Sequence, residues 1–220
     1  MKVGICVPAL GPHVDRRAVH DFTIRAEAAG FDSLWVQEHF MWRNVPQTGY
    51  AGIPGVPMPK PYQSLLQPLE LLSYCAAITE KVELGTSILV TAYHRPLNLA
   101  RRMATLDVLS GGRALCGLGL GWMAEEYAHM DTPFEKRGPR MTDFVRALKA
   151  AWLPDPVQYQ GSTSPTRNAI PRRSRCNATP LASRTCRSSP AAATRFRSSA
   201  ARSMAMVGTR PGCPLGWSRA

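Results

Sequence analysis

VELGTSILVTAYHRPLNLARRMATLDVLSGGRALCGLGLG, Val82 to Gly121, is the stretch that decides the fold. Val82 to Thr91 is a nearly continuous apolar run, the pattern of a strand covered on both faces. Pro96 opens a helix at the position where its missing N–H costs nothing. Leu99, Met103 and Leu106 recur at helical spacing, and Gly111-Gly112 ends the helix. Ala114 to Leu120 is a second apolar strand. Strand, helix and strand in this order read as a parallel β-α-β unit.

The same alternation extends outward. Val3 to Val7 is a short apolar strand, and Asp15 caps a helix through Ala29 with Val19, Phe22, Ala26 and Ala29 on one face, stopped by Gly30. Ser33 to Val36 is a strand. A Gly- and Pro-rich loop from Arg43 to about Gln67 precedes a helix over Leu69 to Thr79, and a further helix covers Met141 to Trp152. Four βα units predict an α/β fold with a parallel sheet, either doubly wound or the N-terminal half of a (β/α)8 TIM barrel. Periodicity alone does not choose between the two. In both, ligands gather at the C-terminal ends of the strands, so the residues after Val7, Val36, Val90 and Leu120 carry the functional question.

Composition divides the chain at Gly161. Residues 1–160 hold sixteen basic against fifteen acidic residues, whereas 161–220 hold eleven arginines and no Lys, Asp, Glu or His. The formal charge of +12 therefore belongs to the tail, and residues 1–160 are close to neutral. The expected organisation is a domain over 1–160 followed by a disordered Arg/Ser/Ala/Pro-rich tail over 161–220, too poor in large apolar residues to build a core. Nucleic-acid binding through the tail is disfavoured, since the tail has no lysine and only Phe196 and Trp217 as aromatics among its eleven arginines. No apolar run is long enough to cross a membrane, and Met1 leads directly into a strand, so the location expected is cytoplasmic. The cysteines form no Cys-x-x-Cys pair. Cys6, Cys75 and Cys116 lie in apolar stretches and read as small buried residues.

At the end of the second strand stand Gln37-Glu38-His39-Phe40-Met41-Trp42. Imidazole beside a carboxylate suits proton transfer next to a flat ligand, with Glu38 fixing the tautomer of His39. A His that merely hydrogen-bonds in a turn is the plainer alternative. Gly117-Leu118-Gly119-Leu120-Gly121-Trp122 leaves one strand face without side chains, room for a ring system or for close packing of a neighbouring strand. His94, His129, Glu125 and Glu126 lack metal-ligand spacing, so no metal is expected. Arg137 and Arg140 read as ligand contacts or as a solvated helix face.

ATLDVLSGGRALCGLGLGW at Ala104 to Trp122, with FDSLWVQEH at Phe31 to His39, LGTSILV at Leu84 to Val90 and the later PFEKRGPRM, resembles the luciferase-like flavin-dependent oxidoreductases over residues 1 to about 160. The resemblance implies a (β/α)8 barrel using FMN or coenzyme F420 for hydride or oxygen transfer to a small-molecule substrate. It would place His39 and Glu38 beside the cofactor ring, with His39 the proton donor. Thr86, Ser87 and Ile88, where relatives often have a non-prolyl cis peptide, and Gly119 would back the ring. Trp42 lies close to an aromatic that relatives use, and Trp122 and Glu125 would line the substrate side. Relatives that oxidise sugar phosphates carry Glu where this chain has Trp122, which argues against that substrate.

The family pattern stops near Gly161. Permitted codons for Arg173 to Ala192 are compatible, in another frame, with the expected fifth strand, so the tail is expected to be an out-of-frame continuation. A chain truncated in this way is expected to lack detectable flavin affinity, or else to complete its fold as a homo-oligomer.

Overall fold

The computed structural model describes residues 1–153, 157–161 and 170–174. It begins with strand β1 (Gly4–Cys6), helix α1 (Arg16–Ala28) and strand β2 (Ser33–Val36). Helix α2 (Pro68–Ile78), strands β3 (Glu83–Thr86) and β4 (Leu89–Val90) and helix α3 (Pro96–Leu109) follow. Strands β5 (Ala114–Leu115) and β6 (Leu118–Gly119) lead to helices α4 (Ala124–His129) and α5 (Arg137–Ala151). A hairpin of β7 (Val157–Tyr159) and β8 (Ile170–Ser174) comes last.

Each helix begins where local chemistry allows it. The Asp15 carboxylate caps α1 by accepting from the Ala18 N–H at 2.7 Å, and Pro68 and Pro96 open α2 and α3. Gly30, Gly111 and Gly112 end the preceding helices at positive φ, where other residues are strained.

The strands β1, β2, β3 and β5 form one sheet in that order, all parallel, and β4 pairs parallel with β6. The two long strands expected over Val82–Thr91 and Ala114–Leu120 are thus each broken in two. The break in the first falls at the cis Ser87–Ile88 peptide. The second breaks at Gly117, whose N–H and C=O are both engaged by the Thr86 hydroxyl, at 2.9 Å each. Helix α4 was not expected from the sequence, and α5 starts four residues before Met141. Pro139 is tolerated there because it falls in the first turn.

The helices cover one face of the sheet. Leu34, Leu84 and Ala114 from the strands and Cys116 just after β5 meet Leu72 and Cys75 of α2, Leu99, Met103 and Leu106 of α3, and Phe144 and Leu148 of α5 in a single core. Each large apolar side chain withdrawn from water contributes about 1.5–3 kcal/mol. Burial pushes the Cys116 thiol up to about 12, which keeps it neutral.

The register puts Gly4, Cys6, Trp35 and Gly85 on the opposite face. Trp35 lies flat across its neighbours there. A Cβ at Gly4 or Gly85 would come within 2.4 Å of its ring, so glycine is required on both sides. Cys6 shares this face and is exposed, which corrects the reading of it as buried.

Polar clamps close the loops under the sheet. Arg113 donates to the carbonyls of Ser110, Val82, Ala76 and Thr79 and to the Thr79 hydroxyl. The Glu27 carboxylate accepts from the N–H groups of Glu80, Lys81 and Val82. Among the described residues no helix is long and apolar enough to cross a membrane. Within the segment read as a disordered tail, Ile170–Ser174 pairs antiparallel with Val157–Tyr159; the rest of that reading, and of the frame-shift reading, lies outside the described residues.

Candidate active site

Where β2 ends, the chain runs straight into Glu38 and His39, and the two side chains part. Glu38, buried, receives the Val90 N–H on Oε2 at 2.7 Å and lies 2.9 Å from Nε2 of His94. His39 turns the other way, with Nδ1 3.0 Å from both oxygens of Glu126. The expectation that Glu38 orients His39 is therefore corrected. Successive residues leaving a strand point to opposite sides, so the sequence neighbour is the wrong partner.

Glu126, on α4, is fully buried. It accepts the Phe40 and Met41 N–H groups on Oε1, at 3.0 and 3.3 Å, and the Tyr93 hydroxyl on Oε2. Burial alone would raise its pKa, but the hydrogen bonds from His39, Tyr93 and the Phe40 N–H hold the carboxyl below the ordinary glutamate value. Burial, with the Glu126 charge beside it, drives the Tyr93 phenol far above its usual range, so that hydroxyl keeps its proton.

Aromatic rings wall in His39. Tyr62 stands edge-on at 5.4 Å and Trp122 at 5.2 Å between centroids. Tyr50 packs on both, 5.8 Å from Tyr62 and 5.5 Å from Trp122. The Thr48 hydroxyl holds the Trp122 carbonyl at 2.8 Å, tying the long loop to the end of β6. Glu125 faces that loop too, accepting the Gln47 N–H at 2.7 Å and lying 3.4 Å from Arg43. Its second oxygen, Oε2, is buried without a hydrogen-bond partner, as is Nε1 of Trp42.

Thr86 is buried and spent on Gly117, while Ser87 is exposed and Ile88 half-buried. The bare glycine face is filled by neighbours: a Cβ at Gly117 would meet the Thr86 carbonyl oxygen at 1.9 Å, and one at Gly119 would meet Ile88 Cδ1 at 2.2 Å. Arg137 lies over the Phe134 ring at 4.0 Å, and Arg140 holds the Pro133 and Glu135 carbonyls. Both thus secure the turn before α5. Among the described residues no group of three or more His, Cys, Asp or Glu is placed to hold a metal.

The site therefore brings His39 and Trp122 into contact, sets Glu125 against the long loop that also holds Trp122, and assigns Glu38 to His94. Sequence reasoning missed Glu126, Tyr93, His94, Tyr50 and Tyr62 as site residues. Tyr93 and His94 carried a signal, since they follow the third strand at its C-terminal end; Glu126 is identified only by its contacts. A groove of about 460 Å³ lined by Val14, Val19, Leu66, Leu71 and Tyr74 includes none of these residues.

A family model described as luciferase-like monooxygenase matches residues 1–195. An uncharacterized protein of Mycobacterium tuberculosis is 32% identical over 141 residues, 62% of this chain and 49% of its own length. An F420-dependent glucose-6-phosphate dehydrogenase of Kineococcus radiotolerans is 35% identical over 145 residues, 64% of this chain and 38% of its own. Among solved structures, monooxygenase RslO1 from Streptomyces bottropensis superimposes with a TM-score of 0.58 at 20% identity, over 96% of this chain and 68% of that one. An F420-dependent secondary alcohol dehydrogenase in complex with an F420–acetone adduct gives 0.60 at 20% identity, over 80% of this chain and 48% of that one. These likenesses establish a shared fold. The chain spans about half the length of the first curated relatives it matches.

Proposed function

The chain belongs to the luciferase-like monooxygenase family, and on that premise we propose that its His39 site serves hydride or oxygen transfer with FMN or coenzyme F420 on a small organic substrate. The observation that carries this reading is His39 itself, presented at the C-terminal end of β2 between Tyr62 and Trp122 and held from behind by Glu126. Such a group suits proton transfer beside a flat ring.

The residues present fit a planar, polar-edged group. Trp42 offers a buried N–H donor and Glu125 a buried acceptor, both without protein partners, and a buried polar atom left unpaired costs about 1–3 kcal/mol. A bound ring would supply the redox chemistry, accepting or giving hydride. Trp42, Ile88 and Ser87 would hold it, by analogy with the family. The chain's own work is then positional and acid–base. Tyr50, Tyr62 and Trp122 exclude water around the imidazole, and His39 holds or delivers the proton that accompanies the transfer. Trp122, an indole where sugar-phosphate-oxidising relatives carry a carboxylate, favours a less polar substrate.

Titration of the full chain with FMN and, separately, with coenzyme F420, followed by tryptophan fluorescence, tests this. Saturable quenching by one of them, weakened about tenfold or more in His39→Ala, supports the reading. No saturable quenching by either at millimolar concentration overturns it and upholds the expectation of lost flavin affinity. The intact aromatic wall is the physical reason to expect binding.

A second reading concerns assembly. Among the described residues β1 and β5 are edge strands, and the sheet face bearing Trp35 and Cys6 has no covering helix. Parallel sheets are ordinarily covered on both faces, so a second copy completing the barrel is the assembly this geometry favours. Native mass measurement tests it: a compact dimer supports it, and a monomer at every concentration refutes it.

A further inference from the structure

The partners of the Glu126 carboxylate are informative because the backbone N–H groups of Phe40 and Met41 and the Tyr93 hydroxyl all donate to it. An ionised carboxylate only accepts. The remaining neighbour, Nδ1 of His39, stands 3.0 Å from both oxygens and must therefore carry a hydrogen. A neutral imidazole has one N–H, so the other nitrogen is then the free acceptor. We propose that Glu126 is the positioning residue that holds His39 in its Nδ1–H form, leaving Nε2 as the ring atom that takes up or delivers the proton of the reaction. The proton-transfer part rests on the function proposed above; the tautomer part stands on geometry alone.

The arrangement is cross-braced. Glu38 and His39 are adjacent, as are Tyr93 and His94. Glu38 binds His94, while Glu126 binds both His39 and Tyr93. Two loop segments are thereby locked on either side of one buried carboxylate, which fixes the plane of the His39 ring as well as its protonation. The groups facing that ring are Glu126 from α4, Tyr62 from the long loop and Trp122 from the end of β6. Among these the carboxylate alone is anionic at neutral pH.

Substitution by Gln reads this directly. The backbone donors at Oε1 favour the amide carbonyl there, which leaves the NH2 toward Tyr93 and the second contact to Nδ1. A donor then opposes the Nδ1 hydrogen at one of its two contacts and only a neutral carbonyl remains at the other, so the Nε2–H form gains.

The experiment is ¹⁵N NMR of the imidazoles in the full chain, at a pH where His39 is neutral, with His39 assigned by loss of its signals in His39→Gln. The wild type is expected to be protonated at Nδ1. Glu126→Gln shifts population to Nε2–H, Glu126→Asp restores Nδ1–H in part, and Tyr93→Phe, which removes the other side-chain donor, leaves Nδ1 protonated. A wild-type His39 protonated at Nε2 overturns the proposal. So does a folded Glu126→Gln chain that keeps Nδ1–H unchanged. Should Glu126→Gln fail to fold, the wild-type and Tyr93→Phe spectra still decide. The flavin titration is separate: absence of binding removes the functional reading while leaving the tautomer result intact.

Discussion

Glu38 and His94 lie 2.9 Å apart, Oε1 to Nε2, across 56 positions of sequence, and this contact joins the end of β2 to the segment after β4. The other Glu38 oxygen takes the Val90 N–H, so one buried carboxylate pins both the backbone of β4 and the ring beyond it.

Glu38→Gln keeps the shape and removes the charge. Because hydrogen bonds to charged groups contribute about 1.5–3 kcal/mol, the variant should lose stability within that range in urea unfolding. A change smaller than ~0.5 kcal/mol would mean the contact is incidental.

Stability should also fall in acid. Burial is the largest single influence on the Glu27 carboxyl and raises it, but the N–H groups of Lys81, Val82 and Glu80 together outweigh it and hold the group below the ordinary glutamate value of 4.5. Its folded pKa lies under its unfolded one. The stability it contributes is therefore complete above the unfolded value and is lost as pH falls through the folded value. Glu126 is lowered in the same sense. Glu27→Gln should cost stability at neutral pH, and that cost should shrink as pH falls below 4.5. Unfolding midpoints recorded across this window check it; a cost that does not vary with pH would exclude the carboxylate as its source.

Gly117, at the break between β5 and β6, and Gly119, in β6, should differ sharply. At Gly117 an added Cβ would strike the Thr86 carbonyl oxygen, fixed backbone, whereas at Gly119 it would strike the far end of the Ile88 side chain. Gly117→Ala should fall at the upper end of the roughly 1–3 kcal/mol cost of overpacking, and Gly119→Ala at the lower end. Thermal unfolding of the pair decides; equal losses would mean that the strand, rather than the named neighbour, absorbs the methyl.

Helix and strand alternation was legible because its causes are local. Asp15 reaches the Ala18 N–H three residues on, prolines open α2 and α3, and Gly111 and Gly112 stop α3 at positive φ. His39 was legible because it follows a strand. The breaks in the strands and the short helix α4 were not, since they depend on what Thr86, Gly117 and Glu126 meet in neighbouring strands and loops.

What the residues in order determined is the parallel sheet, its covering helices, the family and the position of His39 at a strand end, all written in spacing and in Gly, Pro and Asp at turns. What only the tertiary structure decided is partnership. His39 faces Glu126 across 87 positions instead of Glu38 beside it, because adjacent residues leave a strand toward opposite sides while the parallel strands β2, β3 and β5, and the parallel pair β4 and β6 that follows β3 and β5 in the chain, carry distant loops together.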